Sequence, residues 1–536
     1  MTNPSLTPFQ TFRFWARRAP VGERVTAAGV GLLAVVTLGW LLVPASGNGP
    51  GGSRVAVESS STGGGVASGG PSGGRNASAV APTASSRPGA GEGGGGGVGS
   101  GGSGAGAGNQ GDVVRSRPGA PTAAAGAAVG SGGCSPPPGE DQGVSAREVK
   151  VAITLINIVG PAGNSTFDVP SVAEQQLDYQ QDIDALNAEG GVACRKLVPQ
   201  FYSANPVDQS DLQQKCLDIT EAKPFLVIES GGYTGSASIT CFPQHHLPLF
   251  GSGLITGSQR DQFYPYMFGA GRWETLYRNA VLALQARGFF GAPSGFKKLG
   301  VIYRSCLPEV NAAFMKSVQQ AGVPASLVVT YDVGCPSGFA TPSDMQQAIL
   351  KFKQNGVTHV SENLFYTDFA NFTRIAQQQG FKPKYGIADD GIVPITKGFL
   401  HPDYANIANA VAITSNRFAE EQTPGMTPTA GTAKCDAIYK AHGRAPVYQH
   451  SVGFGGLTCN LVWMVAAAIN HAPTLRRSAL ADGLHAAKAV DFSFPSGPAD
   501  FGGARVTYGD EFWRPLEFLP SCTCWRVIDP TFRPSL

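Results

Sequence analysis

Aromatic residues are missing from Leu41 through Thr166 of this 536-residue chain, and about 30 of its 71 glycines crowd the same stretch. A segment with no aromatics and few large aliphatics cannot bury enough apolar surface to offset its chain entropy. Residues 44–144 are therefore read as a disordered Gly/Ser/Ala/Pro linker, with 145–536 as the foldable part. Charge is also sparse: charged residues make up 15% of the chain, the formal net charge is +2 and the pI is about 8.0. That balance excludes a nucleic-acid binder held by phosphate contacts, and it excludes an acidic disordered chain. Long apolar runs are scarce enough to exclude a polytopic membrane protein.

One N-terminal run is long enough to span a membrane. Val25–Val43 offers about 19 apolar residues, roughly 28 Å of helix, close to the hydrocarbon thickness. Arg13, Arg17, Arg18 and Arg24 precede it against the single acid Glu23. The positive-inside rule puts 1–24 in the cytoplasm and everything after Pro44 outside. Two readings stay open. Either 25–43 is a transmembrane signal anchor, or Val43-Pro44-Ala45 is a cleavage site and the chain is secreted, although the run is long for a signal peptide. Both export the bulk of the protein. A second apolar stretch, Val452–Ile469, is interrupted by Gly455-Gly456 and Asn460 and is read as a buried helix.

The chemistry-bearing motifs are mostly missing too. There is no CxxC, and Cys522-Thr523-Cys524 has no matching pair at ligand spacing; His245-His246 has no further ligand nearby, so no metal is expected. Gly70-Pro71-Ser72-Gly73-Gly74 matches the nucleophile-elbow pattern in letters only, with no strand before it and no helix after it. No HExxH and no Ser/His/Asp set in context occurs, so the chain is not expected to be an enzyme. Gly251-Ser252-Gly253 with Gly257 has the wrong spacing for a dinucleotide fingerprint, and no cofactor is expected. Ten cysteines are present, and an even count in an oxidising space reads as disulfides.

From Val149 onward, short apolar runs alternate with amphipathic helices. Strands are expected at 149–158, 196–202, 225–228, 247–250, 299–303, 326–331, 358–362 and 385–387. Helices are expected at 169–187, 209–221 (with a cap near Ser210), 275–288, 309–321, 342–354 and 368–380. Such alternation implies parallel sheets covered by helices, an α/β fold with ligands bound outside the carboxyl ends of the strands.

The opening Ile158-Val159-Gly160-Pro161, the helix ending Asp184–Val192, the turn Glu229–Thr234, the strand ending at Arg304, and Asp389-Asp390-Gly391 occur in a telling order. That ordered set resembles the type I periplasmic binding proteins, closest to the leucine/isoleucine/valine-binding group of ABC importers, over roughly 147–530. The resemblance implies two Rossmann-like lobes joined by three crossovers, with lobe I at about 145–270 and 416–492 and lobe II at about 271–415 and 493–536. It implies an extracytoplasmic binding protein that holds a small polar ligand (an amino acid, amide or related amine) in the cleft and works with ABC permease subunits. The alternative is the same module as a membrane-tethered ligand-sensing ectodomain. Asp390 matches the acid that receives the ligand's ammonium in relatives, and Tyr366 falls at their aromatic wall. The turns holding Ser230, Gly232, Tyr233, Ser252 and Gly253 fall where the family binds the ligand carboxylate. Ser165 stands where relatives carry an aromatic, and Leu254 and Ile255 where they carry small or hydroxyl residues. Those departures count against an ordinary branched-chain amino acid.

In a βαβ unit of this kind, Cys306 and Cys335 end neighbouring parallel strands. With strands about 4.8 Å apart and a disulfide needing Cα atoms about 4.4–6.8 Å apart, they are expected to bond. Sequence proximity and shared helical layers pair Cys216 with Cys241 and Cys435 with Cys459, leaving Cys134, Cys194, Cys522 and Cys524 unassigned. The linker generates its own prediction. Deleting residues 61–100 should leave thermal stability and ligand affinity unchanged, because a flexible coil adds no native contacts; a fall of several degrees in melting temperature would mean that the tract docks on the domain.

Overall fold

The computed structural model describes residues 137–230, 240–251, 253–335, 340–363, 366–389, 393, 401–450, 454–503, 505–510 and 512–536. All of them fall in the compact unit Ala105–Leu536. The apolar run 25–43 and most of the linker lie outside the described residues.

Apolar runs become strands buried on both faces, and polar caps start the helices between them. β1 (Glu148–Ile156) lies between β2 (Lys196–Ala204) and β3 (Leu226–Glu229), all parallel. β4 (Leu249–Gly251) and β6 (Met267–Arg272) extend the sheet, and the short β5 (Leu254–Ile255) pairs with β6. The helix Val172–Ala188 starts with a reciprocal cap, in which Ser171 Oγ accepts from Glu174 N and the Glu174 carboxylate accepts from Ser171 N. The Gln209–Glu221 helix is capped in the region expected, by Asp208, whose carboxylate accepts from the N–H groups of Ser210 and Asp211.

After β6 the chain crosses into a second sheet. β7 (Leu299–Tyr303), β8 (Val328–Asp332), β9 (His359–Asn363), β10 (Lys384–Asp389) and β11 (Val411–Thr414) pair in parallel in the order β11-β10-β9-β7-β8. A two-stranded piece, β12 (Ala489–Val490) and β13 (Ala499–Asp500), follows the second crossing. β14 (Tyr508–Asp510) then pairs with β6 on the edge of the first sheet. The third crossing therefore comes after residue 510 and not near 493, and three residues were too few to read as a strand. β15 (Phe512–Leu519) runs antiparallel to β11, with β16 (Cys524–Val527) and β17 (Arg533–Pro534) beside it.

The Phe454–Asn470 helix is mostly buried, and its second half joins the core of the first sheet with the Leu480–Ala487 helix. The residues that interrupt its apolar run explain why. A side chain on Gly456 would run into the Phe494 carbonyl, and Asn460 bonds both the N–H and the C=O of Ser493. Among the described residues, no helix is long and apolar enough to cross a membrane.

Disulfides join Cys216 to Cys241 and Cys435 to Cys459, with Cα separations of 6.4 and 6.2 Å. Cys522 and Cys524 are bonded to each other, and Cys194 is also oxidised. The expected Cys306–Cys335 bond is not closed. β7 and β8 are parallel neighbours as the reasoning required, yet both thiols are free and exposed. Adjacency brings the sulfurs together, but bonding them is an oxidation that removes two electrons, which an oxidant must accept.

The fold generates a pH prediction. His359, the first residue of β9, packs edge-on against Phe289 and Phe296 at 4.8 and 5.3 Å, and its Nε2 has no hydrogen-bond partner. Burial, with Lys384 adding repulsion, pushes its pKa down to about 4. An unfolded histidine titrates near 6.5, so between those values the unfolded chain holds the extra proton. The contribution is fully present above pH 6.5 and is lost on acidification, by about 3 kcal/mol on reaching pH 4. Urea unfolding at pH 7 and pH 4.5 should show a smaller acid loss in His359→Phe than in the parent; equal losses would remove His359 from the account.

Candidate functional site

In a parallel sheet every strand finishes at the same rim, and the described polar side chains gather at the rims of both sheets. On the first, β1 and β3 place Thr154 opposite Glu229 in register, followed by Ser230. All three are buried. Ser230 Oγ donates to the Thr154 carbonyl at 3.4 Å, and the hydroxyl of Tyr179, in the helix behind, is buried without a hydrogen-bond partner among the described residues. Glu229 ends β3 beside Gly251, the last residue of β4; a side chain there would press on the Glu229 carboxylate at 3.3 Å. Sequence reasoning used Glu229 only as the start of a turn and did not place it in the site. Its signal was a lone acid closing an otherwise apolar run.

On the second sheet, Arg304 follows β7 and meets Asp368, in the first turn of the Tyr366–Gln378 helix, through two guanidinium bonds, that from Nε being 3.0 Å. Both are buried, and the second Asp368 oxygen accepts from Ala340 N at 2.8 Å. Burial raises the Asp368 carboxyl above its ordinary value, with the Arg304 bonds and charge pulling the other way. Asp389 closes β10, accepting from Thr414 Oγ1 at 2.7 Å and from Val393 N at 3.0 Å. It thus ties the end of β10 to Thr414 of β11 and to Val393. The two lobes touch where Ser258, in the Gly257–Phe263 helix, donates to Glu309, in the Pro308–Gln320 helix, at 2.6 Å.

The structure brings together only some of the residues that the sequence singled out. Ser230 is at the first rim, and Gly253 sits between β4 and β5 with its carbonyl accepting from Ala270 N. Tyr366 opens its helix, its side chain being outside the description. Ser165 is exposed on the short helix Pro161–Thr166, where its neighbour Asn164 is the buried residue, tying Ile156, Ile158 and Pro170 together. Gly232, Tyr233, Ser252 and Asp390 lie outside the described residues.

Behind the first rim, Asp182 approaches the Cys435–Cys459 disulfide, one oxygen 3.3 Å from Cys459 Sγ and the other accepting from Thr458 at 2.6 Å. Burial pushes this carboxyl well up. A disulfide sulfur has no proton to give, so the proton in that contact belongs to the acid. Asp182, Cys435 and Cys459 have a metal-like spacing, but the sulfurs are spent on each other.

A family profile described as periplasmic binding protein matches residues 180–508. No curated protein sequence matches the chain significantly. Among solved structures, the branched-chain amino acid transporter substrate-binding protein of Streptococcus pneumoniae, in complex with isoleucine, aligns with a TM-score of 0.52 and 14% identity. It covers 72% of this chain and 100% of its own. A possible leucine/isoleucine/valine-binding protein from Rhodopirellula baltica gives 0.51 at 14% identity, over 72% and 97% of the two chains. A leucine-binding protein from Thermotoga maritima gives 0.50 at 13%, over 72% and 98%. Identities this low speak to the fold, which is that of the type I periplasmic binding proteins.

The rim of the second sheet generates a stability prediction. Asp368→Asn leaves the Arg304 guanidinium buried without its counter-charge, so it should destabilise the chain by about 3–5 kcal/mol. Replacing both with apolar residues of similar volume should recover most of the loss. Denaturant unfolding of the single and double variants decides it; a single variant within about 0.5 kcal/mol of the parent would show the pair to be dispensable.

Proposed function

Because this chain belongs to the periplasmic binding protein family, we propose that it is an extracytoplasmic solute-binding protein serving an ABC importer. It captures a small polar ligand, an amino acid, amide or related amine, by closing its two lobes. The observation that carries this reading is the profile match, which runs from the first sheet through the second and back to β14. Supporting it, buried hydroxyls and carboxylates of both lobes sit at the strand ends, where an open α/β sheet takes its ligands. Ser230 and Gly253 on one lobe, and Tyr366 and Asp390 on the other, are the contacts we assign to the ligand. The 25–43 segment would hold the domain at the membrane, or be removed to release it.

Catalysis has no place in this reading. In this reading a cleft between the lobes desolvates the polar ligand, and lobe closure reports its capture. A thermal-shift screen of amino acids, amides, short peptides and polyamines against the purified chain tests it. A ligand at 100 times its Kd should add about 2.7 kcal/mol of stability. If that ligand carries an amine, Asp390→Asn should weaken binding by roughly 2–5 kcal/mol in calorimetry, through loss of the charge partner assigned to that amine. No stabilisation by any compound class would overturn the binding role, whereas stabilisation with an unchanged Kd in the variant would remove only Asp390.

A further inference from the structure

Cys306 and Cys335 are the free cysteines among the described residues, and both are exposed. They are not placed by chance. β7 and β8 pair in parallel up to Tyr303 and Asp332, and the ladder continues beyond the strands. Val333 N donates to the Tyr303 carbonyl at 3.0 Å and Ser305 N to the Gly334 carbonyl at 3.1 Å. Cys306 and Cys335 each come one residue after that last rung, and their side chains are in hydrogen-bonding contact. The rung also sits on a braced base. Arg304 is bound to Asp368, its carbonyl accepts from Asn311 Nδ2 at 2.7 Å, and Asp332 caps Gly334 N at 2.8 Å.

We propose that Cys306 and Cys335 form a thiol–disulfide exchange site on the rim of the second lobe, one that takes a low-molecular-weight disulfide as its substrate and becomes an internal disulfide. One thiolate of the pair attacks a sulfur of the incoming disulfide, forming a mixed disulfide and releasing one thiolate of the substrate. The second cysteine's thiolate attacks the protein sulfur of that mixed disulfide, the Cys306–Cys335 bond forms, and the second substrate thiolate leaves. The two cysteine protons finish on the two released thiolates. Two electrons pass from the pair to the substrate, and nothing else is consumed.

Three features set this pair apart from the other cysteines. Cys216, Cys435 and Cys459 are fully buried, so an attacking thiolate has no path to their bonds. Cys522 and Cys524 are already joined across a single residue. Cys306 and Cys335 combine access with a neighbour able to resolve the mixed disulfide. Desolvation at the rim, reinforced by the neighbouring Cys335, pushes the Cys306 thiol up to about 11, so its thiolate is scarce at neutral pH and exchange quickens as the pH rises.

The test treats the full chain with oxidised glutathione at pH 8 and maps its peptides without reduction. The expected product is a monomeric chain with a Cys306–Cys335 cross-link and no retained glutathione. Before treatment both residues alkylate; afterwards neither does, and mild dithiothreitol restores both while the Cys216–Cys241 and Cys435–Cys459 bonds stay closed. The melting temperature of the oxidised chain should rise by a few degrees, since a loop of about 29 residues is then closed. In Cys306→Ser, whose reduced form should melt as the reduced parent does, glutathione should remain on Cys335 because nothing resolves it. Glutathione retained on the parent, cross-linked dimers, or no reaction after prolonged exposure would each overturn the exchange site.

Discussion

Parallel pairing is the constraint on which the rest of this molecule depends. Once β1, β3, β4 and β6 run the same way, their last residues share one rim, and the same holds for β7, β9, β10 and β11. Strand interiors there are apolar and buried on both faces, so polar groups collect where the strands stop. The crossings between sheets leave from that same end, after β6, β11 and β14. Polar strand-end groups and the crossing segments therefore share a neighbourhood, and a molecule gripping both rims would act directly on the segments that set the lobe angle.

Charges buried in that neighbourhood are handled in two ways. Some are paired. Arg304 meets Asp368, Arg444 meets Asp178, and Arg514 meets Glu420 at 2.7 Å while its guanidinium lies over Phe532. Asp182 instead has no cation beside it among the described residues, and burial pushes its carboxyl well up. Desolvation of two charges offsets most of their attraction in such sites, so these pairs add little net stability over apolar replacements. What they add is position. Arg304 and Asp368 bind a strand end, a helix start and the segment returning at Ala340 into one unit. Arg514 holds the start of β15 to the segment that leaves β11, through Glu420 and the Asn416 and Phe418 carbonyls.

The βα order was legible in the sequence because local chemistry writes it. Gly and Pro punctuate the turns, and apolar runs of strand length separate helices that begin at Ser171, Asp208 and Thr341. The Cys216–Cys241 and Cys435–Cys459 bonds were legible because each joins segments only 25 and 24 residues apart. The Arg304–Asp368 pair was not, since 64 residues separate partners whose meeting depends on the order β9-β7-β8. β14 was invisible for another reason: three residues carry no period. At the rim, a hydroxyl such as Ser230 and a buried acid such as Glu229 differ little in local sequence from turn residues, and only their convergence in space distinguishes them.

The covalent links follow the same division between what must stay rigid and what must move. Cys216–Cys241 joins two helices of the first lobe, Cys435–Cys459 joins two helices after the second crossing, and Cys522–Cys524 closes the turn between β15 and β16. None of these bonds ties a strand of one sheet to a strand of the other. Across the lobes the described contacts include hydrogen bonds from Ser258 to Glu309 and from Gly257 N to Glu274, each to a carboxylate and worth about 1.5–3 kcal/mol. A capture mechanism needs that asymmetry. A disulfide would hold the lobes at one angle whatever the cleft contained, whereas a bond of this size can be outweighed by the free energy of a bound ligand. The three disulfides with both partners described each lie within one part of the chain, and the exposed thiol pair lies within one lobe, where closing it leaves the angle between the lobes free.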